Sequence, residues 1–113
     1  MQWYIHRNFT ELNIDLETFQ EIIKGETPVL VDFYADWCNP CKMMNPTLKS
    51  IKKHFGDDIK ILKINVDNNE RVAGKFQVKG IPTFILFKEG EIKWRKSGVI
   101  DEKEFISTIN SNI

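Results

Sequence analysis

Pro28 opens a run of seven residues, Val29-Leu30-Val31-Asp32-Phe33-Tyr34-Ala35, in which only Asp32 carries a charge. Such a run has no polar face to turn to water. It is rich in the β-branched and aromatic residues that suit a pleated, packed surface. It reads as a central strand buried on both faces, as in a parallel sheet, and that arrangement requires helices above and below it.

The flanking segments supply those elements. Residues 9–13 read as a short strand. Residues 15–24 place Leu16, Phe19, Ile22 and Ile23 at helical spacing, with Gly25 at the expected C-cap. A long helix is predicted over about 38–55. Met44, Leu48, Ile51 and Phe55 mark its inner face, Lys49, Lys52, Lys53 and His54 crowd its C-terminal end, Gly56 ends it and Pro46 kinks it. A strand over 59–66, a short helix from Asn68 to Phe76 and a second buried strand over 83–87 follow. Glu89-Gly90 marks a tight hairpin, after which Ile92 and Trp94 alternate with Lys93 and Arg95 on an edge-type strand. Asp101-Glu102-Lys103-Glu104 resembles a capping box and opens a last helix with Phe105, Ile106 and Ile109 on one face. The order β-α-β-α-β-α-β-β-α predicts an α/β fold, a central mixed β-sheet flanked by helices on both faces.

Composition narrows the function classes. A chain of 113 residues fits one domain. Sixteen Lys and Arg balance sixteen Asp and Glu, and each half of the chain balances too, so the basic excess of a nucleic-acid binder is missing. There is no apolar run near the length of a membrane span. The start, Met1-Gln2-Trp3-Tyr4-Ile5-His6-Arg7, has neither the long apolar stretch nor the small-residue cleavage site of a secretory signal, so a cytoplasmic location is expected.

Both cysteines of the chain fall in Trp37-Cys38-Asn39-Pro40-Cys41-Lys42, between the central strand and the long helix. Two residues between them bring the sulfurs within bonding reach on a first helical turn. Cys38 lies at the helix start, where free N–H groups favour an anion, so its thiolate is the expected nucleophile. Cys41, one turn further in, is expected to be more buried and less acidic. Pro40 is tolerated there because its missing N–H would have no helical partner. A static disulfide closing so short a loop would constrain little of the unfolded chain. Half of a metal site is the other alternative, but four-ligand zinc sites usually need two such pairs, and His6 and His54 are poorly placed to complete one. Redox chemistry is the leading reading.

Further segments add to this one. Val31 to Met43, Pro46, Lys63-Ile64-Asn65-Val66-Asp67, Gly80-Ile81-Pro82-Thr83, Phe87-Lys88, Gly90 and Gly98 occur in an order that resembles the thioredoxin family, from about Phe9 to Ile109. The chain departs from the family at Asn39, where Gly is usual between the cysteines, and at Tyr34, where Trp is usual. The pair between the cysteines helps to set the redox poise. Residues 1–7 extend beyond the family's typical start, leaving 8–113 as the domain.

The resemblance implies a thiol–disulfide oxidoreductase that reduces protein disulfides through Cys38 and Cys41. It implies Asp32 as proton acceptor and donor for Cys41, with Lys63 as its charge partner. A buried acid in a strand would in any case hold its proton more tightly. Trp37, Asn39, Pro40, Ile81, Pro82 and Gly98 are the expected substrate contacts, with a cis Ile81–Pro82 bond and an exposed Ile81 backbone pairing with an extended client segment. Disulfide-bearing client proteins and a thioredoxin reductase, a flavoenzyme fed by NADPH or an equivalent, are the implied partners, with no nucleic acid and no membrane. A monomer or weak dimer is expected. No cofactor is expected, since neither common Gly-rich phosphate loop occurs. The competing readings are a disulfide oxidase or isomerase, a redox-independent binding module and a metal- or cluster-binding dimer. For the remaining residues the bland reading is packing: Trp3 and Trp94 as packing residues, and the Met43-Met44 pair as core filler.

Overall fold

Val29–Tyr34 forms a strand with hydrogen-bonded neighbours on both sides and side chains buried on both faces. The structure is a computed structural model and describes residues 3–5 and 10–113. The strands are β1 (Trp3–Ile5), β2 (Thr10–Leu12), β3 (Val29–Tyr34), β4 (Lys60–Asn65), β5 (Thr83–Lys88) and β6 (Glu91–Ser97). The helices are α1 (Leu16–Ile23), α2 (Asn39–Met43), α3 (Asn45–Phe55), α4 (Glu70–Lys75) and α5 (Glu102–Asn112). The sheet runs β1-β2-β4-β3-β5-β6. The β2–β4 and β4–β3 pairs are parallel, and β1–β2, β3–β5 and β5–β6 are antiparallel. The sheet is therefore mixed, as expected.

Alternation along the strands builds two cores. Leu30, Ile61, Phe84 and Leu86 face α3 and α5, meeting Leu48, Ile51, Phe105 and Ile109. Val29, Val31, Phe33, Leu62, Ile64, Ile85 and Phe87 face the other way, onto Phe19 and Ile23 of α1 and Val72 of α4. Trp94 packs on Phe105 at the rim of the first core, in the packing role expected of it.

Three local features differ from the sequence expectations. The long helix is two helices. Pro46 has no N–H to continue the ladder, the chain turns at Met44, and α3 starts afresh at Asn45. The C-cap of α1 is Lys24 rather than Gly25, and the carbonyls of Ile23 and Gly25 accept from Gly90 and Glu89 at the hairpin tip. The capping box is half formed: Asp101 accepts from the N–H groups of Lys103 and Glu104, but the Glu104 carboxylate pairs with Lys96 at 2.6 Å instead of folding back. The chain before the expected first strand contributes β1. The strand start at Phe9, the boundary between residues 7 and 8, His6 and the side chain of Trp3 lie outside the described residues.

Other signals acted as read. Gly56 ends α3 at φ +56°, and the Lys52 ammonium bonds the carbonyls of Gly56 and Ile59 at 2.7 and 2.8 Å. Glu89 and Gly90 both take positive φ, as a two-residue hairpin with the strands' own twist requires.

Asp15 caps α1 by accepting from the Thr18 N–H at 2.7 Å. That backbone bond first, and the Thr18 side chain next, hold its carboxyl below the ordinary value. A carboxyl depressed in the folded state adds stability above its unfolded pKa, and the gain is lost as pH falls through the folded one. Asp15→Ala is therefore expected to lower the thermal midpoint at pH 7. The gap from the parent protein should begin to narrow as melts are taken below about pH 4 and close at lower pH, once the folded-state carboxyl is protonated too.

Candidate active site

Strand β3 delivers the chain to the site. Beyond Tyr34 the chain bends through Ala35, Asp36 and Trp37, and Cys38 becomes the N-cap of α2. Cys38 and Cys41 are joined as a disulfide with their Cα atoms 5.3 Å apart. The Cys41 N–H points at Cys38 Sγ, 3.2 Å away. That atom is a disulfide sulfur here and stands where a thiol or thiolate sulfur would lie in the reduced protein. An N-cap anion accepting a backbone N–H is held by a charge-assisted hydrogen bond. Asn39 and Pro40 are the first two helical residues, both exposed, and Pro40 costs no hydrogen bond at that position.

The expected contrast in burial between the cysteines is absent: each is 3 % exposed. The bond holds Cys38 Sγ against the helix, and Ala35, Ile81 and Val66 pack around the pair. What separates the two residues in this oxidised form is hydrogen bonding and position on the helix.

Pro82 follows a cis peptide bond from Ile81. The ladder places Phe33 opposite Thr83, so the Ile81–Pro82 segment arrives just past the end of β3, and the Ile81 side chain packs on the cysteine cluster. The Pro82 carbonyl accepts from the Gly98 N–H at 2.8 Å, and the Thr83 hydroxyl bonds the Gly80 carbonyl and Ser97. Gly98 holds φ +97°, a conformation that suits glycine.

Asp32 is fully buried on β3, level with Lys63 of β4 on one side and Phe84 of β5 on the other. Removal from water favours its protonated form. Lys63 is 7 % exposed, so it is not a solvated surface lysine. Its ammonium donates to Asn45 Oδ1 at 2.8 Å and lies 4.5 Å from the centre of the Tyr34 ring. A cavity of about 200 Å³ opens here, lined by Tyr34, Asp36, Cys41, Lys42, Asn45 and Lys63.

Trp37 is 68 % exposed and its indole N–H donates to Asp67 Oδ2 at 2.9 Å, so it belongs to the surface and not the core. Met43 is also mostly exposed, and only Met44 of that pair fills the core. Helix α2 ends at Met43, with that side chain turned outward. Asn45 escaped the sequence reading, and Asp67 entered it only as part of a strand segment, without its bond to Trp37. Neither lies in a periodic pattern, and each acts on a residue far along the chain.

The sequence profile of the thioredoxin family matches residues 11–111. The chain belongs to the thioredoxin family. It is 41 % identical to a thioredoxin of Rickettsia bellii, over 89 % of this chain and 97 % of that protein. It is 37 % identical to a thioredoxin of Pseudomonas aeruginosa, over 83 % and 87 %. Among solved structures it is similar to oxidised mitochondrial thioredoxin 3 of Saccharomyces cerevisiae, with TM-score 0.82 and 31 % identity over 93 % of this chain and 96 % of that one. The fold is the thioredoxin fold. The protein is a thiol–disulfide oxidoreductase, a protein-disulfide reductase working through Cys38 and Cys41. Membership implies disulfide-bearing substrates and a reductase. Among the described residues, no helix is long and apolar enough to cross a membrane.

The loop at Gly98 gives a direct test. A Cβ there would meet nothing within 4 Å, so substitution is opposed by backbone strain and not by a clash. Gly98→Ala is expected to cost about 1–3 kcal/mol. Urea unfolding should show it as a lower midpoint at unchanged slope.

Proposed function

We propose that Cys38 is the attacking sulfur and Cys41 the resolving sulfur, with Asp32 taking the Cys41 proton. The observation that carries the assignment is the Cys41 N–H directed at Cys38 Sγ at the head of α2. In the reduced protein the Cys38 thiolate attacks one sulfur of a client disulfide. The client S–S bond breaks, a Cys38–client bond forms, and the leaving client sulfur takes up a proton. Cys41 then gives its proton to Asp32 and attacks Cys38 Sγ. The Cys38–Cys41 bond forms and the second client sulfur leaves as a thiolate. Two electrons have passed to the client. A reductase, drawing on NADPH or an equivalent donor, returns the pair to dithiols.

The burial of Asp32, its register beside Lys63 and the cavity shared by Lys63 and Cys41 support a relay that moves the proton. Lys63 is the cation of that relay. The client lies against Trp37, Asn39, Pro40, Ile81, Pro82 and Gly98, with an extended segment pairing to the Ile81 backbone. The exposure of Trp37, Asn39 and Pro40 beside the disulfide supports this placement. The protein works as a monomer or weak dimer on proteins, not on nucleic acid or a membrane. A reducing role fits the cytoplasm, where thiols are kept reduced.

A reductase-coupled assay on a disulfide-bonded protein tests the assignment, with the redox midpoint measured alongside. Turnover is expected in the parent protein and none in the Cys38→Ser, Cys41→Ser double variant. Cys41→Ser alone should accumulate a stable mixed disulfide on Cys38. Asp32→Asn should slow turnover at pH 7 by at least about tenfold. A midpoint well above the cytosolic poise of roughly −220 to −320 mV would instead favour disulfide oxidation or isomerisation.

A further inference from the structure

We propose that Asn45 is a positioning residue for the resolving step, holding the Lys63 ammonium at the cavity that Cys41 lines. The inference rests on the reading of Cys41 as the resolving sulfur. Asn45 is the first residue of α3, just past the break at Met44. Its side-chain oxygen is not spent on capping a helix end: it accepts the Lys63 ammonium at 2.8 Å, across 18 residues of sequence. The Tyr34 ring, 4.5 Å from Lys63 Nζ, supports the same head group from another direction. A lysine has four side-chain torsions to fix, and a free one would spread its charge over many positions. The Asn45 oxygen and the Tyr34 ring, from two elements, help to hold this one in place.

The charge is useful at that place. Cys41 and Lys63 line one cavity, with Asp32 level with Lys63 in the sheet. When Cys41 loses its proton, negative charge develops on sulfur, and Asp32 must start ionised to receive that proton. A fixed cation favours both ionised forms. The other charged groups facing the cavity are Asp36 from the loop after β3 and Lys42 from α2, both exposed and so screened by solvent. Cys38 lies at the head of α2. Without the Asn45 oxygen, the Lys63 ammonium loses one of the contacts that hold it and is fixed less closely at the cavity. Asp32 and Cys41 then both ionise at higher pH, which moves the pH dependence of resolution in one direction.

The test uses an aromatic disulfide whose thiolate is coloured, mixed with the reduced protein in stopped flow between pH 5 and 10. The first thiolate reports attack by Cys38, and the second reports resolution by Cys41. For Asn45→Ala we expect the second-release profile to shift up by about half a pH unit. That is roughly threefold slower release at pH 7, converging with the parent at alkaline pH. Lys63→Met should produce a shift of the same sign, and adding Asn45→Ala to it should shift the profile no further. An Asn45→Ala profile that overlays the parent, or is slowed equally at every pH, would overturn the inference while leaving the Cys41 role intact. A single release from the parent protein would sink the resolving role of Cys41 and this inference together.

Discussion

A carboxyl group in a strand with no solvent face has to be accommodated by the sheet itself, and Asp32 is that group. Burying it is costly, and the cost depends on what lies within reach of its oxygens. Reach is set by register. Side chains alternate across a strand, so slipping β3 by one residue would move Asp32 from the α3 side of the sheet to the α1 side, into the place of Val31 beside Leu62 and Ile85. The apolar residues on either side of Asp32 make that slip expensive, because the same shift would misplace all of them. The hydrophobic alternation that stabilises the sheet thus also fixes the acid level with Lys63.

The same ladder assembles the rest of the site from distant parts of the chain. Cys38 lies four residues past the end of β3, and Pro82 lies one residue before β5 begins. Antiparallel pairing of these strands, with Phe33 opposite Thr83, brings the two together at one end of the central strands. The hairpin to β6 then returns Gly98 to bond the Pro82 carbonyl. The Cys38–Cys41 pair and the Pro82 loop therefore face each other because of strand register, and short local bonds only trim the geometry.

Much of this was legible in the sequence because it is periodic. The runs Val29–Ala35 and Thr83–Phe87 could only be buried strands, and Leu48, Ile51 and Phe55 could only face a core. The Cys38–Cys41 pair could be placed because its spacing and position carry the chemistry. What stayed hidden depends on contacts across the chain. The break at Met44 needs the geometry of Pro46 as the start of a new helix and not as a kink within one. Asn45 reaching Lys63 and Asp67 reaching Trp37 are single side-chain bonds spanning 18 and 30 residues, and no local pattern marks them. The equal burial of the cysteines follows from the disulfide, a state that a sequence does not specify.

Edge protection explains where a partner's backbone can be received. Strand β6 lies at the outer edge beside β5, and its neighbours are managed by charge. Arg95 bonds the carbonyls of Phe76 and Gln77, Lys96 pairs with Glu104, and an irregularity at Leu86–Phe87 interrupts the flat ladder. Charged side chains and a bulge oppose edge-to-edge pairing. The exposed Trp37, Met43 and Val99 lie close in sequence to the site's elements. A chain with zero formal net charge gains little from long-range steering. Client recognition of the kind proposed would then rest on backbone pairing and apolar contact, and should be far less sensitive to salt than recognition through a charged face.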